Sequence, residues 1–237
     1  KIDTDLTKIY KSGPDSIVKT FNYVMSGQGK RIRPILTLLT SKSLFGNYTK
    51  SYNAAIAIEV LHNFTLVHDD IMDNDSLRHG KETVHKKWDV GTAILAGDAM
   101  LAKSINILSE NNYNNNLLKS FNSALLAVCE GQALDKEYEM KKNITEKDYF
   151  EMIEKKTSNL IAMPIEIGAL AYDYPLKDAK KLFNFGLFIG KAFQIQDDFL
   201  EIMSSPEIMK KSLDSDILLG KQTYPIILCN KKNKNFI

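Results

Sequence analysis

The sequence predicts an all-α protein, a single large helical bundle around a central cavity. Apolar residues recur at helical spacing through long stretches, and the alternating pattern of strands is nearly absent. The sequence shows neither an internal repeat nor a domain linker, so residues 1–237 are expected to form one domain. Since 44% of the residues are hydrophobic, the chain can form a sizeable core.

Charge and hydrophobicity exclude several classes of protein. A net charge of +2 provides no strong field for nucleic acid or anionic lipid. No apolar run approaches the roughly 18 residues that a membrane span needs. The two cysteines, Cys129 and Cys229, have apolar neighbours in the sequence and are predicted to be buried free thiols, which suits a reducing compartment. We therefore expect a cytoplasmic protein without a membrane span.

Helix signals divide the chain into segments. Helices are predicted at 34–45, 51–73, 91–109, 124–140, after Thr145 as N-cap, at 179–203 and from Pro225. Polar loops are predicted at 26–29, 74–82, 111–116 and 212–222. Pro164 is expected to bend the helix that follows Thr145.

Two acidic clusters end largely apolar helices. The clusters are Asp69, Asp70 and Asp73, and Asp197, Asp198 and Glu201. Residues four apart share a helix face, so carboxylates of one cluster repel each other at an apolar boundary. Mg²⁺ would remove this conflict, because it binds carboxylate oxygens together with substrate phosphates. Two such faces opposite each other would clamp a diphosphate; the alternative is that these helix ends simply face water.

Each acidic cluster is followed by a basic loop, and a third basic loop precedes the first predicted helix. In that third loop, Lys30, Arg31 and Arg33 lie at a helix N-terminus, which favours phosphate. Arg33 is suited to bind phosphate with two parallel hydrogen bonds. The other two loops carry Arg78, His79 and Lys81, and Lys211 and Lys221. The pattern indicates that metal and phosphate are handled together, although a solvated basic face would look similar.

Together these motifs resemble those of the trans-isoprenyl diphosphate synthases, also called polyprenyl synthetases, over nearly the whole chain. The motifs occur in the family's order: GKRIRP at 29–34, ExxHxxxLxHDDxxD at 59–73, LRHGxxTxH at 77–85, GD at 97–98, GQxxD at 131–135, KT at 156–157, FQxxDD at 193–198 and DxxxGKxTYP at 216–225. Each motif alone is weak, and their order makes the resemblance specific.

The resemblance implies an enzyme, in the family a homodimer, that joins isopentenyl diphosphate to dimethylallyl, geranyl or farnesyl diphosphate. Three Mg²⁺ ions are implied: two at Asp69 and Asp73 with support from Asp70, and one at Asp197 with Asp198 and Glu201 nearby. Arg78, Lys156, Lys211 and Lys221 would bind the allylic diphosphate, and Lys30, Arg33 and His62 isopentenyl diphosphate. Arg31, His79 and Gln132 are further substrate-binding candidates. Thr157 and Gln194 would face the allylic cation.

The sequence departs from the family pattern at three places. His79 replaces an arginine that helps to hold isopentenyl diphosphate, which predicts weaker and more pH-dependent binding, unless the substitution is neutral. Glu201 replaces an aspartate. Family members continue through further helices after the TYP segment, so the chain is expected to lack its C-terminal helices.

Product length is predicted from the residues that precede Asp69. Phe64 lies five positions earlier, which is about 7 Å along a helix. In this family a bulky residue there acts as the floor for the growing chain. Phe64 and Thr65 therefore predict a short product, with C20 ahead of C15. The rival interpretations are a terpene cyclase of the same fold, a non-catalytic partner subunit and a purely structural bundle.

Overall fold

The computed structural model describes residues 1–27, 29–141, 143–203 and 221–232. As predicted, these residues are mainly helical. The helices are α1 (Ile2–Leu6), α2 (Asp15–Met25), α3 (Ile32–Phe45), α4 (Tyr52–Met72), α5 (Val84–Lys87), α6 (Val90–Ser109), α7 (Asn115–Glu139), α8 (Glu146–Ile153), α9 (Asn159–Leu170), α10 (Leu176–Met203) and α11 (Tyr224–Lys232). A π-helical turn, Glu154–Ser158, joins α8 to α9.

Two helices that are apolar on nearly every side form the centre of the bundle. The first half of α4 is almost completely buried, and α9 is buried along its length. Helix α4 packs against α3, α6 and α9, while α9 also packs against α7 and α10. A helix that is apolar all round must be covered by its neighbours, which explains why the remaining helices surround this pair.

Polar caps set several helix boundaries. Asp89 accepts a hydrogen bond from the backbone N–H of Thr92 at the start of α6, and Asn114 caps α7. Thr145 and Asp148 form a reciprocal capping box at the start of α8. The prediction of Thr145 as an N-cap is therefore confirmed.

Residues 77–82 form a short antiparallel hairpin where a polar loop was predicted. Its strands are β1 (Leu77–Arg78) and β2 (Lys81–Glu82), and Arg78 pairs with Lys81. The turn residues His79 and Gly80 have φ values of 51° and 76°. A two-residue turn with both φ angles positive matches the twist of a hairpin. The turn was not predicted from the sequence, because non-glycine residues such as His79 rarely adopt positive φ values.

Other elements differ from the predictions in their bounds. Helices α1 and α2 were not predicted, and α7 begins at Asn115, well before the predicted residue 124. Helix α9 continues through Pro164, and the departure from regular helix lies earlier, in the π turn. The predicted loop at 212–222 lies outside the described residues except for its last two.

The prediction of buried cysteines was wrong, because both Cys129 and Cys229 are exposed. Their apolar sequence neighbours, such as Val128 and Ile227, point to other sides of the helices and are buried in their place. Within the described ranges, no helix has the length and apolar character that crossing a membrane requires.

Candidate active site

A cavity of about 760 Å³ lies between the second half of α4, the hairpin, α7, the π turn and α10. Asp69 of α4 and Asp197 of α10 both line it. The two helices that carry the acidic clusters therefore contribute to the wall of one shared cavity. Lys30, Phe64, Thr65, Arg78, His79, Gln132, Lys156 and Thr157 line the same cavity.

Asp70 also lines this cavity, but Asp69 is the most exposed carboxylate of the first cluster. Its Oδ1 lies 3.5 Å from Nζ of Lys156. This oxygen is buried and has no hydrogen-bond partner among the residues that the structure describes. A buried carboxylate oxygen that lacks a hydrogen bond is costly even with a lysine at 3.5 Å, so the site fits a divalent cation that binds oxygen.

The lysine of the KT motif lies between two carboxylates. Nζ of Lys156 is 2.5 Å from Oδ2 of Asp135 and 3.5 Å from Oδ1 of Asp69. Burial lowers the pKa of Lys156, but Asp69 and Asp135 raise it above its ordinary value. Lys156 therefore stays charged and can bind an anion in the cavity.

Asp73 is the least solvent-exposed carboxylate of the first cluster. Nζ of Lys136 lies 2.7 Å from its Oδ1, and Nζ of Lys221 lies 2.7 Å from its Oδ2. Burial raises the pKa of Asp73, but Lys221, Lys136 and Lys156 lower it to about 2. Asp73 is consequently ionised at neutral pH, and lysines cover both of its oxygens.

Asp70 points away from the cluster towards the hairpin. Arg78 donates two hydrogen bonds to Oδ1 of Asp70, and Nη2 of Arg78 also lies 3.0 Å from Oδ2 of Asp75. Burial raises the pKa of Asp70 to about 6, although Arg78 acts in the opposite direction. In this arrangement Asp70 positions the hairpin and its arginine at the cavity.

The two aspartates of the second cluster, Asp197 and Asp198, have different surroundings. Asp197 lines the cavity, whereas Asp198 is buried and accepts hydrogen bonds from the Tyr149 hydroxyl at 2.7 Å, Nε2 of Gln194 at 2.8 Å and the backbone N–H of Tyr224 at 2.9 Å. The metal-binding role of Asp198 stays a prediction: in this structure Oδ2 joins α11 to α10 through Tyr224, while Oδ1 accepts from Gln194 on α10 itself. The Glu201 side chain and Lys211 lie outside the described part of the structure.

Arg33 and His62 form a second polar site in the cavity wall. Nη1 of Arg33 lies 2.9 Å from Nε2 of His62. Arginine only donates, so Nε2 accepts, and the neutral ring carries its proton on Nδ1. Burial, and then the charge of Arg33, holds the pKa of His62 well below its ordinary value. Burial also lowers the pKa of Arg33 to about 10, which leaves it charged at neutral pH.

This pair has spare donors. Nε of Arg33 and Nδ1 of His62 are buried without a hydrogen-bond partner in the described residues. Nε2 of Gln132, another residue of the cavity wall, is also a buried donor without such a partner. Unsatisfied buried donors are rare, so three of them in the wall of one cavity indicate a binding site for an anionic oxygen.

Arg31 also lines the cavity, but internal acceptors hold its guanidinium. Its guanidinium donates to Oε1 of Glu59 at 2.7 Å, to Oδ1 of Asp3 at 2.8 Å and to the carbonyl oxygen of Gly27 at 2.5 Å. The role of Arg31 in substrate binding stays a prediction, and in this structure internal acceptors engage its donors. Arg31 instead fixes the loop before α3 and so positions Arg33.

The π turn approaches two helices at glycines. A Cβ atom on Gly131 of α7 would lie 2.2 Å from the backbone N of Lys156. A Cβ atom on Gly190 of α10 would lie 2.4 Å from Cα of Ser158. These glycines let the backbones touch where the helix bulges. Bulges of this kind are frequent at functional sites.

The bulge directs the KT motif into the cavity. Oγ1 of Thr157 donates a hydrogen bond of 2.6 Å to Oε1 of Gln194. The structure thus brings together Thr157 and Gln194, the two residues predicted to face the allylic cation.

Phe64 contributes a bulky ring to the cavity wall. It is 8% exposed, and its ring centroid lies 4.7 Å from that of His68 one turn later. Thr65 is beside it and donates to the carbonyl oxygen of His62 at 2.8 Å. The positions predicted to limit product length are therefore on the cavity surface.

Lys136 was not predicted from the sequence to be a site residue. This residue lines the cavity and contacts Asp73, yet it belongs to none of the motifs. Its position could have indicated a role in the site. Lys136 directly follows Asp135 of the GQxxD motif and lies on the same helix face as Gln132, a predicted substrate-binding residue.

Comparison with known proteins decides the family. The family model described as polyprenyl synthetase matches residues 14–236. The chain belongs to the polyprenyl synthetase family. A geranylgeranyl pyrophosphate synthase of Geoglobus acetivorans is 40% identical over 218 residues, which cover 90% of this chain and 68% of that protein. The chain is therefore a prenyltransferase, which favours neither a terpene cyclase nor a non-catalytic subunit.

Two solved structures resemble this family member closely. A crystal structure of a geranylgeranyl pyrophosphate synthase has a TM-score of 0.92 and 38% identity, covering 98% of this chain and 72% of that one. A geranyltransferase from Helicobacter pylori, complexed with magnesium and isoprenyl diphosphate, has a TM-score of 0.83 and 28% identity, covering 99% and 82%.

The carboxylates that the structure describes do not form a ready-made metal centre. Among the described residues, no three His, Cys, Asp or Glu side chains are grouped closely enough to hold a metal ion. This arrangement fits Mg²⁺, which is often bound by one or two carboxylates while substrate phosphates and water supply the other ligands.

Proposed function

We propose that this prenyltransferase condenses isopentenyl diphosphate with an allylic diphosphate and releases a short-chain all-trans prenyl diphosphate. One observation supports the proposal: a single cavity contains two polar clusters, each of which suits a diphosphate. The carboxylate and lysine site around Asp69 and Lys156 suits a metal-bound diphosphate, and the Arg33–His62 pair suits a metal-free one.

The first site would ionise the allylic substrate. Asp69, Asp73 and Asp197 would hold Mg²⁺, three ions by family resemblance, which when bound neutralises the charge of the leaving diphosphate. Lys156, Lys221 and Arg78 would bind the same diphosphate, so that the allylic C–O bond breaks and its electron pair leaves with the diphosphate oxygen. Oγ1 of Thr157 and the amide oxygen of Gln194 would direct their dipoles at the positive carbon.

The second site would hold the nucleophile. Arg33, His62, Lys30, His79 and Gln132 would bind the diphosphate of isopentenyl diphosphate and keep its double bond close to the allylic carbon. The double bond attacks that carbon, a C–C bond forms, and loss of one proton restores the alkene. The departing diphosphate is a plausible acceptor for this proton, and no protein nucleophile is required.

A direct test is incubation of the purified protein with Mg²⁺, labelled isopentenyl diphosphate and each of the three allylic primers. Chromatography should resolve a prenyl diphosphate product, with C20 predominant. The matched control contains a chelator in place of Mg²⁺ and should yield none. Absence of product with every primer would contradict the proposal.

Phe64→Ala is expected to lengthen the product by at least one five-carbon unit, because removing the ring opens the cavity wall below Asp69. Product sizes from a fixed primer measure this. Phe183→Ala is the control, since Phe183 packs on the core and does not line the cavity. An unchanged product profile would show that Phe64 is not the floor.

His79→Arg is expected to lower the Michaelis constant for isopentenyl diphosphate by roughly two- to fivefold, the scale of a partly exposed ion pair. Both side chains must adopt the same left-handed turn, so the change tests charge rather than backbone strain. Steady-state kinetics at several pH values should also show a flatter profile. Identical constants would favour a neutral substitution.

We further propose a homodimer. The support is a set of exposed apolar side chains on α6, on α7 and at the end of α5: Trp88, Val90, Ile94, Leu95, Ile105 and Leu126. Light scattering after size-exclusion chromatography should give twice the mass of the chain. A single-chain mass at micromolar concentration would contradict this. The cytoplasmic location stays a prediction of the sequence.

A further inference from the structure

Asp73 is separated from the cavity by lysine side chains. Helical spacing puts Asp69 and Asp73 on one face of α4, yet among the described residues that line the cavity Asp73 is missing, while Lys136 and Lys221 are present. The Asp73 side chain is 3% exposed. A cation that enters the cavity therefore meets an ammonium group before it meets Asp73.

Lys136 has two carboxylate partners. Its Nζ lies 2.7 Å from Oδ1 of Asp73 and 2.9 Å from Oε1 of Glu139, three residues along α7. The side chain is 28% exposed, and a lysine stem is long and flexible. Lys136 can thus keep one ion pair while it gives up the other.

An ammonium group and a divalent cation compete for the same carboxylate oxygen, because each is stabilised there by opposite charge. Both cannot bind Oδ1 of Asp73 at hydrogen-bonding distance without repelling each other. Binding of a metal ion at Asp73 therefore requires Lys136 to withdraw, and Glu139 is already in place to receive it.

We propose that Lys136 occupies the position of a divalent cation at Asp73 in the metal-free protein and moves fully to Glu139 when the cation binds. Lys136 and Glu139 together then set the metal affinity of the site. This inference rests on the proposed function, since it assumes that Asp73 binds Mg²⁺ during the reaction.

Substitutions of Lys136 and of Glu139 are expected to have opposite effects on metal affinity. Lys136→Met removes the competitor and should lower the dissociation constant for Mn²⁺ by roughly three- to tenfold, the range expected for a partly buried ion pair. Glu139→Gln removes the alternative acceptor and should raise that constant by a similar factor. The double variant should match Lys136→Met alone, because Glu139 acts only through the lysine.

Electron paramagnetic resonance of Mn²⁺ measures free and bound ion directly, with and without inorganic pyrophosphate. Lys155→Met is the matched control: it removes the same charge and an ion pair with Glu130 at 2.8 Å, outside the cavity, and should leave the constant unchanged. Circular dichroism confirms that each variant is folded.

Unchanged or weaker binding by Lys136→Met would overturn the inference, and so would an equal effect of Lys155→Met. A wild-type protein that binds no Mn²⁺ under either condition would instead contradict the proposed magnesium-dependent reaction. The two failures are thus distinguishable, because the first leaves wild-type binding and turnover intact.

Discussion

Asp69→Ala is expected to reduce turnover by about 10³-fold or more, a loss on the scale seen when a preorganised charge-stabilising group is removed. Asp69 provides a buried carboxylate oxygen that has no hydrogen-bond partner within the described structure, and it lines the same cavity as Asp197. Asp197→Ala should have a similar effect. Helical content should not change, because neither carboxylate holds the bundle together.

Steady-state turnover with labelled isopentenyl diphosphate measures the loss, and far-ultraviolet circular dichroism tests folding. Asp178→Ala is a suitable control, since this aspartate on α10 pairs only with the exposed Lys181 in the described contacts. Near-normal turnover of Asp69→Ala would eliminate the idea of a metal clamp between α4 and α10.

Gly131→Ala is expected to reduce both stability and turnover. The added methyl group would lie 2.2 Å from the backbone N of Lys156, so α7 and the π turn must separate. Overpacking of this kind costs about 1–3 kcal/mol, which for a chain of this size is a fall of roughly 2–10 °C in the unfolding midpoint. Turnover should fall about 10²-fold, because a shift of about 1 Å displaces Lys156 and Thr157 from the reacting groups.

Calorimetry and steady-state kinetics test this prediction together. Ser123→Ala is the control, because Ser123 is exposed on the same helix and alanine there meets no neighbour across a helix interface. If Gly131→Ala retains wild-type turnover, the π turn does not depend on close contact with α7.

The sequence predicted what local spacing determines. Helical periodicity gave α4 and α10, and Thr145 marked the start of α8. The order of motifs placed Asp69 and Asp197 at one cavity. These predictions succeeded because helix spacing and capping depend on residues close together in the chain.

Features that depend on contacts between distant segments could not be predicted. Asp197 and Asp198 are adjacent in sequence, but only the packing of Tyr149 and Tyr224 shows that Asp198 faces away from the cavity. The role of Gly131 in admitting the π turn likewise depends on a helix that follows in the chain. Arg31 resembles its basic neighbours until Glu59 and Asp3 are seen to occupy its donors.

The hydrogen bond from the backbone N–H of Tyr224 to Asp198 restricts the movement of the residues before Tyr224. Tyr224 is fastened at its backbone N–H, and its ring stacks on Tyr149 with centroids 5.3 Å apart. Lys221 precedes Tyr224 by three residues, a tether of about 10 Å at full extension. The hydrogen bond to Asp198 thus limits how far the ammonium group of Lys221, which covers Asp73, can move. Loss of this attachment on α10 would therefore change the contacts of Asp73 on α4.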